Sequence, residues 1–258
     1  MTRTRTGRDA TFESTHSRAF PRGQVARFAP RCRGGWCSLT SATAAQNGSM
    51  SSPPPDESPI GMEALFHSDT PGRGAYLSRM FAFFSEEIVR QWTRCEESPY
   101  RDLGRPVVWD DAGSKYHVLD FTLERSTDGA RFVTELKCEI EFEKYRYLTL
   151  TEPQQLDHHT RNAAFQKLLR SATQPGAQRV TIQGRDVQVD GAVLVWGVVT
   201  DQGRTSVTEK YGFADVLSIE QMLKDLARWK PKAWADWVGR RRDWSDELFD
   251  WLRYPAGE

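Results

Sequence analysis

Residues 117–143 read HVLDFTLERSTDGARFVTELKCEIEFE and alternate between apolar and polar side chains on both sides of a central Ser-Thr-Asp-Gly segment. Alternation with a period of two is typical of β-strands, in which successive side chains point to opposite faces of a sheet. Asp128-Gly129 is a favoured pair for a tight turn between antiparallel strands. The stretch therefore predicts a β-hairpin, with one strand from His117 to Leu123 and a second strand that continues past Lys137.

The register of this hairpin depends on the length of its turn. If Asp128 and Gly129 are the two loop residues, Asp120 faces Lys137 and the next polar pair is Thr122 with Glu135. Facing Cβ atoms in such a ladder lie about 4.5–5.5 Å apart, so the two acids and the lysine are expected to converge on one patch. A loop longer by two residues shifts the register and leaves the faces unchanged, whereas a change of one residue exchanges them.

The patch has the composition of a site for a hard divalent cation. Two neighbouring carboxylates at a partly buried sheet edge repel each other unless a cation compensates, and Mg²⁺ (or Mn²⁺) prefers oxygen ligands. We expect Asp120 and Glu135 to hold this metal, which activates a water and neutralises charge during in-line attack on phosphorus. Lys137 is expected to orient the water or to stabilise the pentavalent anion. The alternative is a solvated strand face with cross-strand ion pairs, each worth about 0.2–1 kcal/mol.

Helices are predicted on both sides of the hairpin. Residues 75–95 carry apolar side chains at helical spacing with charges on the opposite face. Residues 151–171 begin with Thr-Glu-Pro-Gln, a typical helix start, and residues 218–229 begin with a capping serine. Pro231 separates the latter from a C-terminal helix over residues 233–252. The apolar stripe of the first helix consists of Leu77, Met80, Phe81, Phe84, Ile88 and Trp92.

Two further strand signals complete the fold class. Residues 179–189 predict a short hairpin, and residues 192–200 form a nearly continuous apolar run, which is typical of a strand covered on both faces. Together these elements predict a mixed β-sheet flanked by helices. The expected organisation is one α/β domain over residues 62–258, with a helical C-terminal extension from about residue 230.

The N-terminal segment differs in composition from the rest of the chain. Residues 1–50 carry eight arginines against two acids, a net charge of +6, and a proline-rich stretch follows them. Because hydrophobic periodicity is lacking, residues 1–61 are expected to be a disordered tail. The composition resembles a transit peptide, while Met50 or Met62 is an equally good candidate for the real start.

Composition also excludes two classes of protein. The longest apolar run, residues 192–199, is far shorter than the ~20 residues needed to cross a bilayer, so a membrane partner is not expected. Four cysteines in 258 residues are too few and too scattered for a disulfide framework. A soluble, cytoplasmic protein is the expectation.

Basic and aromatic side chains are concentrated near the C terminus. Between residues 228 and 242, six basic residues face a single acid, and tryptophans are interleaved with them. Cations together with aromatic faces suit a nucleic-acid backbone and its bases. We expect Arg240, Arg241 and Arg242 to contact phosphates. The tryptophans at positions 237, 244 and 251 repeat every seven residues, which favours packing of a helix onto the domain over base stacking.

The order of these elements resembles the core of the PD-(D/E)XK nuclease superfamily, the restriction-endonuclease-like fold, over about residues 75–200. Asp120 matches the first acid of that family, and Glu135 with Lys137 matches its Glu-x-Lys motif. Leu119 stands where many members have a proline. The resemblance implies that the two acids ligate metal and that the lysine positions water.

Members of this superfamily often add a glutamate from the first helix. Glu87 flanks the apolar stripe of that helix at about a quarter of a turn, whereas Glu86 points directly away from it. The resemblance therefore makes Glu87 the candidate for a further catalytic residue.

The expected function is metal-dependent hydrolysis of phosphodiester bonds in nucleic acid, with DNA favoured over RNA. The alternative is a catalytically inactive, nuclease-like domain that binds or regulates nucleic acid or protein. The net charge of −6 on residues 51–258 favours this alternative slightly. A homo-oligomer or a protein partner is compatible with both.

Overall fold

A computed structural model describes residues 61–67, 69–137 and 148–255 of the chain. The tail predicted over residues 1–61 lies outside this part of the chain except for its last residue. The continuation of the second hairpin strand beyond Lys137 also lies outside it. Both therefore stay predictions.

The described residues form six α-helices and eleven β-strands, together with two short 3₁₀ turns. The helices are α1 (Met62–Phe66), α2 (Arg73–Thr93), α3 (Ala163–Thr173), α4 (Asp201–Tyr211), α5 (Ile219–Trp229) and α6 (Lys232–Arg253). The strands are β1 (Tyr100–Asp102), β2 (Pro106–Trp109), β3 (Tyr116–Val118), β4 (Phe121–Arg125), β5 (Arg131–Lys137), β6 (Thr149–Leu150), β7 (Val180–Ile182), β8 (Arg185–Val187), β9 (Gly191–Trp196), β10 (Val198–Val199) and β11 (Asp215–Ser218). No helix among these residues is long and apolar enough to cross a membrane.

A five-stranded mixed sheet lies at the centre, in the order β1-β4-β5-β9-β11. Strands β1, β4 and β5 run antiparallel, whereas β5, β9 and β11 run parallel. All six residues of β9 are buried, because the strand is covered on both faces, as its apolar run predicts. A second, antiparallel sheet has the order β3-β2-β7-β8, and β6 pairs with β10.

Helices cover both faces of the central sheet, which confirms the predicted α/β class with a mixed sheet. Helices α2 and α5 pack together on one face, and α3 and α4 lie on the other. The hydrophobic core on the side of α2 and α5 includes Ile88, Trp92, Phe121, Val193 and Leu226. The hydrophobic core on the side of α3 and α4 includes Phe165, Leu168, Leu194, Trp196 and Val207.

The predicted hairpin is formed by β4 and β5, but its turn is longer than expected. The N–H of Arg125 donates to the carbonyl of Ala130 at 2.8 Å, so four residues, 126–129, form the loop. Because the loop has two more residues than expected, the predicted register was wrong by two. The faces are unchanged, since side chains alternate with a period of two.

The new register changes which residues face each other at the end of the hairpin. Thr122 lies opposite Val133 and not opposite Glu135. At the cleft end the ladder stops at the pair of Phe121 with Thr134, so Asp120 is not paired with Lys137. The N–H of Asp120 donates to the carbonyl of Thr134, and the charge of Asp120 acts on Glu135, so the two acids are close neighbours at the end of the ladder.

The first predicted strand of the hairpin is divided between two sheets. Its beginning is β3, which pairs with β2 in the smaller sheet, and its end is β4 in the central sheet. Leu119 and Asp120 connect the two strands. The side-chain alternation continues through this connection, so the change of partner leaves no mark on the sequence pattern.

The helix predictions are confirmed with one exception. Helix α2, helix α5 with its Ser218 cap and helix α6 lie where their patterns placed them. The helix expected over residues 151–171 instead begins as two 3₁₀ turns. The α-helical part starts only at Ala163, because the side chain of Asn162 caps it by accepting the N–H of Ala164 at 2.9 Å.

Candidate active site

A cleft of about 640 Å³ opens beside the hairpin end at which β4 begins and β5 ends. Helices α2 and α6 supply its other walls. The structure brings Asp120, Glu135 and Lys137 together in this cleft, as the alternation of the two strands predicts. The helices contribute Phe83, Glu86, Glu87, Arg90, Trp237 and Arg241.

Asp120 is anchored to the neighbouring strand by its backbone and its side chain. Its N–H donates to the carbonyl of Thr134 at 3.1 Å, and its Oδ2 accepts the N–H of Leu136 at 2.8 Å. Burial raises the pKa of Asp120, and the negative charge of Glu86 adds to the rise. The hydrogen bond from Leu136 and the charge of Lys137 offset part of this effect.

Glu135 is almost fully buried, with 7% of its surface exposed. Its Oε1 accepts a hydrogen bond from Lys137 Nζ at 2.9 Å, while its Oε2 is buried and has no hydrogen-bond partner among the described residues. Burial raises the pKa of Glu135 and the charge of Asp120 raises it further, while Lys137 and the backbone N–H of Asp120 offset part of the rise. Leaving a buried acceptor unpaired costs about 1–3 kcal/mol, so the unpaired Oε2 needs a structural or functional explanation.

Two acids share one lysine at this end of the sheet. The Lys137 ammonium acts on both acids and the Arg105 guanidinium acts on Asp120, yet the pKa of each acid stays above its usual value. The lysine side chain is 23% exposed, so its remaining N–H donors are accessible from the cleft. The arrangement therefore has room, charge and acceptor atoms for a small cation.

Both glutamates of α2 line the cleft, so the predicted position of Glu86 opposite the apolar stripe does not keep it out of the site. The cleft lies between α2 and the hairpin, and it meets the flank of the helix that both residues share. Glu86 accepts hydrogen bonds from Arg90 Nη2 at 2.6 Å and Arg105 Nη2 at 2.7 Å. Burial by itself raises the pKa of Glu86, but these arginines outweigh it and hold the pKa below its usual range.

Glu87, the predicted helix glutamate, has different partners. Its Oε1 accepts a hydrogen bond from Gln91 Nε2 at 2.7 Å, and its Oε2 lies 3.5 Å from Arg90 Nη1. Of the two helix glutamates, Glu86 is the one whose charge raises the pKa of Asp120. A catalytic role for Glu87 stays a prediction.

Of the three arginines predicted to contact phosphates, the structure brings Arg241 to the cleft. Its guanidinium lies 5.2 Å from the ring of Trp237 and 4.6 Å from that of Trp244. Arg242 does not line the cleft but borders two other grooves, one of which Arg241 also borders, and Arg240 is exposed. Neighbouring side chains on a helix point about 100° apart, so three consecutive arginines do not reach one surface together.

The predicted packing of the C-terminal tryptophans holds for only one of them. Trp237 is buried, and its ring meets Phe84 edge-on at 5.4 Å. Trp244 and Trp251 are 53% and 59% exposed, so the packing prediction was wrong for both. The second half of α6 instead turns Phe249 toward α2 and leaves the tryptophan face in solvent.

Sequence reasoning missed the two arginines that hold Glu86. Arg90 follows Glu86 by four residues on the same helix, a spacing that is itself a signal for an ion pair. Arg105 lies in the connection between β1 and β2, where no periodic pattern indicates its approach to the cleft.

The described residues contain no group of three or more His, Cys, Asp or Glu side chains arranged to hold a metal ion. Mg²⁺ commonly uses only one or two carboxylates and completes its octahedron with waters and substrate phosphates. The pair of Asp120 and Glu135, with the unpaired Oε2 of the latter, fits such a site.

In comparisons with known proteins, no family model matches this chain, and neither a curated protein nor a solved structure matches it. The resemblance to the PD-(D/E)XK superfamily therefore rests on the order of elements over about residues 75–200 and on the motif residues Asp120, Glu135 and Lys137.

Proposed function

We propose that the protein is a Mg²⁺-dependent (or Mn²⁺-dependent) phosphodiesterase of nuclease type, with a restriction-endonuclease-like core. Its substrate is nucleic acid, with DNA favoured over RNA, and its compartment is the cytoplasm. The observation that carries the proposal is the buried Oε2 of Glu135, which has no hydrogen-bond partner among the described residues, next to a second, partly buried carboxyl, that of Asp120. A folded protein tolerates such a charge excess where a bound cation compensates it.

In this proposal Asp120 and Glu135 hold the metal through their free carboxylate oxygens. When bound, Mg²⁺ polarises a phosphoryl oxygen and lowers the pKa of a coordinated water. The anchor from the N–H of Leu136 fixes the Asp120 carboxyl at 2.8 Å, so one ligand is already oriented before metal arrives. This pre-orientation reduces the entropy that binding has to overcome.

Lys137 acts on the water or on the phosphate. Its Nζ lies 2.9 Å from Glu135 Oε1 and carries two further N–H donors. A positively charged donor at this place can orient a nucleophilic water and stabilise the negative charge that develops on the phosphoryl oxygens. Its role is positioning and electrostatic stabilisation.

Basic groups at the rim of the cleft suit a polyanionic substrate. Arg241 stacks between two tryptophan rings, so its guanidinium is held in one orientation at low entropic cost. Arg90 is partly exposed and lies 5.6 Å from the ring of Phe121. Phe83 borders the cleft with 79% of its surface exposed, a position that suits contact with a base.

The test is cleavage of a mixture of single-stranded DNA, duplex DNA and RNA by the full chain, with Mg²⁺, with Mn²⁺ and with EDTA. We expect Asp120→Asn, Glu135→Gln and Lys137→Ala each to lower the metal-dependent rate at least about 100-fold. The matched control is Glu124→Gln, because Glu124 lies on the same hairpin and pairs with Arg131 at 3.0 Å outside the cleft.

The control variant is expected to retain the wild-type rate, and the circular dichroism spectra of all variants to match the wild type. Equal cleavage by the wild type and the three cleft variants would contradict the proposal. DNA binding that falls with salt but is never followed by cleavage would instead support the inactive, nuclease-like binding domain.

A further inference from the structure

The two halves of α6 carry opposite charge. The first half, Lys232–Arg242, has four basic side chains and one acidic side chain, a net charge of +3. The second half, Asp243–Arg253, has four acidic side chains and one basic side chain, a net charge of −3. The helix is therefore electrostatically complementary to itself when a second copy runs in the opposite direction.

The acidic half also carries an exposed apolar face. Trp244, Leu248, Trp251 and Leu252 are each more than half exposed. Monomeric proteins rarely expose a contiguous set of large apolar side chains, and such a patch indicates an interaction surface.

The basic half of α6 borders apolar grooves. One groove of about 400 Å³ lies between α2, α5 and α6, with Phe81 and Leu223 in its wall and Arg242 at its rim. A second groove of about 440 Å³ lies between α5 and α6, where Leu226 and Lys230 contribute to the lining. An apolar floor with a basic rim matches the apolar, acidic half of the same helix.

We propose that two copies of this chain associate through antiparallel α6 helices, about a twofold axis near the middle of the helix. A twofold axis exchanges the two halves, so each acidic half lies on the basic-rimmed grooves of the other copy. The same pair of contacts is thereby made twice. Both the apolar match and the charge match follow from one symmetry operation.

The chemistry of the exposed face favours a second copy over other occupants. The four acids at positions 243, 246, 247 and 250 repel nucleic acid and anionic membrane surfaces. Burying the exposed parts of Trp244, Leu248, Trp251 and Leu252 removes about 400 Å² per copy from water. The grooves that they cover lose a comparable area and the contact is made twice, so the total reaches about 1,600 Å², the standard size of a specific interface.

The experiment measures the mass of the full chain in solution by light scattering after size exclusion, at tens of micromolar protein. We expect the wild type at twice its chain mass of 29.5 kDa. Variant A reverses the acidic half with Asp246→Lys, Glu247→Lys and Asp250→Lys. Variant B reverses the basic half with Lys232→Glu, Arg240→Glu and Arg242→Glu, and leaves Arg241 of the cleft unchanged.

Each variant alone brings like charges together in both contacts, so we expect its dimer Kd to rise at least about 100-fold. In an equimolar mixture of variants A and B, opposite charges meet in both contacts. We therefore expect the mixture to form a dimer of one A chain and one B chain. Circular dichroism of each variant checks that it is folded, and recovery in the mixture checks the same point independently.

A monomeric wild type at these concentrations would overturn the proposal, and so would variants that dimerise as tightly as the wild type. A mixture that stays monomeric would overturn it as well, because it would show that α6 does not pair with α6. The readout is mass and not cleavage, so its outcome is independent of the proposed nuclease activity.

Discussion

Both ends of the β4–β5 hairpin carry acidic and basic side chains, but the ratio of acids to bases differs between them. At the turn end, Glu124 pairs with Arg131 at 3.0 Å and Asp128 pairs with Arg125 at 3.0 Å. At the cleft end, the buried Glu135 and the partly buried Asp120 lie beside one ammonium, that of Lys137, which bonds to Glu135 at 2.9 Å. The excess of acid at the cleft end is the feature on which the proposed metal site rests.

The pKa shifts differ in sign between the two ends. Hydrogen bonding to Arg125 lowers the pKa of Asp128 to about 2, so the charged carboxylate stabilises the fold. Burial and the charge of Asp120 raise the pKa of Glu135, so its charged form destabilises the fold. The acids at the cleft end therefore stabilise the fold less than acids paired as at the turn end would. Such a loss of stability is common at binding and catalytic sites.

Divalent-cation binding is expected to show the largest difference between substitutions at the two ends of the hairpin. Calorimetric titration with Ca²⁺, a hard cation that prefers oxygen ligands, should show binding to the wild type in the presence of DNA. Asp120→Asn removes one of the two charged ligands, so we expect its Kd to rise at least about tenfold. Glu124→Gln should bind as the wild type does. If neither the wild type nor the variants take up Ca²⁺ with DNA present, the metal-dependent mechanism is wrong.

A smaller effect is expected in stability without metal. At pH 7 in EDTA, Glu135→Gln should raise the free energy of unfolding, because it replaces a buried charge whose pKa is raised with a neutral group. Glu124→Gln should lower it by about 0.2–1 kcal/mol, because it breaks a partly exposed ion pair. Urea unfolding monitored by tryptophan fluorescence measures both. A destabilised Glu135→Gln protein would mean that the bond to Lys137 outweighs burial.

The smallest effect is expected in the pH dependence of the turn end. Because the pKa of Asp128 falls from 3.8 to about 2 on folding, its stabilisation is complete above the unfolded value and is lost as pH falls through about 2. The melting temperature of Asp128→Asn should lie below that of the wild type by a constant amount from pH 7 to about pH 4. The difference should vanish toward pH 2. A difference that persists unchanged at pH 2 would show that charge is not its source.

The sequence by itself determined the elements and the membership of the site. Period-two alternation located both hairpin strands, helical spacing located α2, and a serine cap located the start of α5. Asp120, Glu135 and Lys137 share a face in every register that differs by an even number of residues, so their convergence survived the error in loop length. Such patterns depend on neighbours along the chain, which is why one sequence is enough to find them.

Only the tertiary structure decided how these residues are paired and charged. The four-residue loop shifted the ladder so that Phe121 pairs with Thr134, and the packing of β5 against β9 buried Glu135 beside Leu194. The approach of Arg105 to α2 brought Glu86 into the cleft network. Burial and charge coupling depend on groups that are distant in sequence and close in space, so local periodicity carries no information about them.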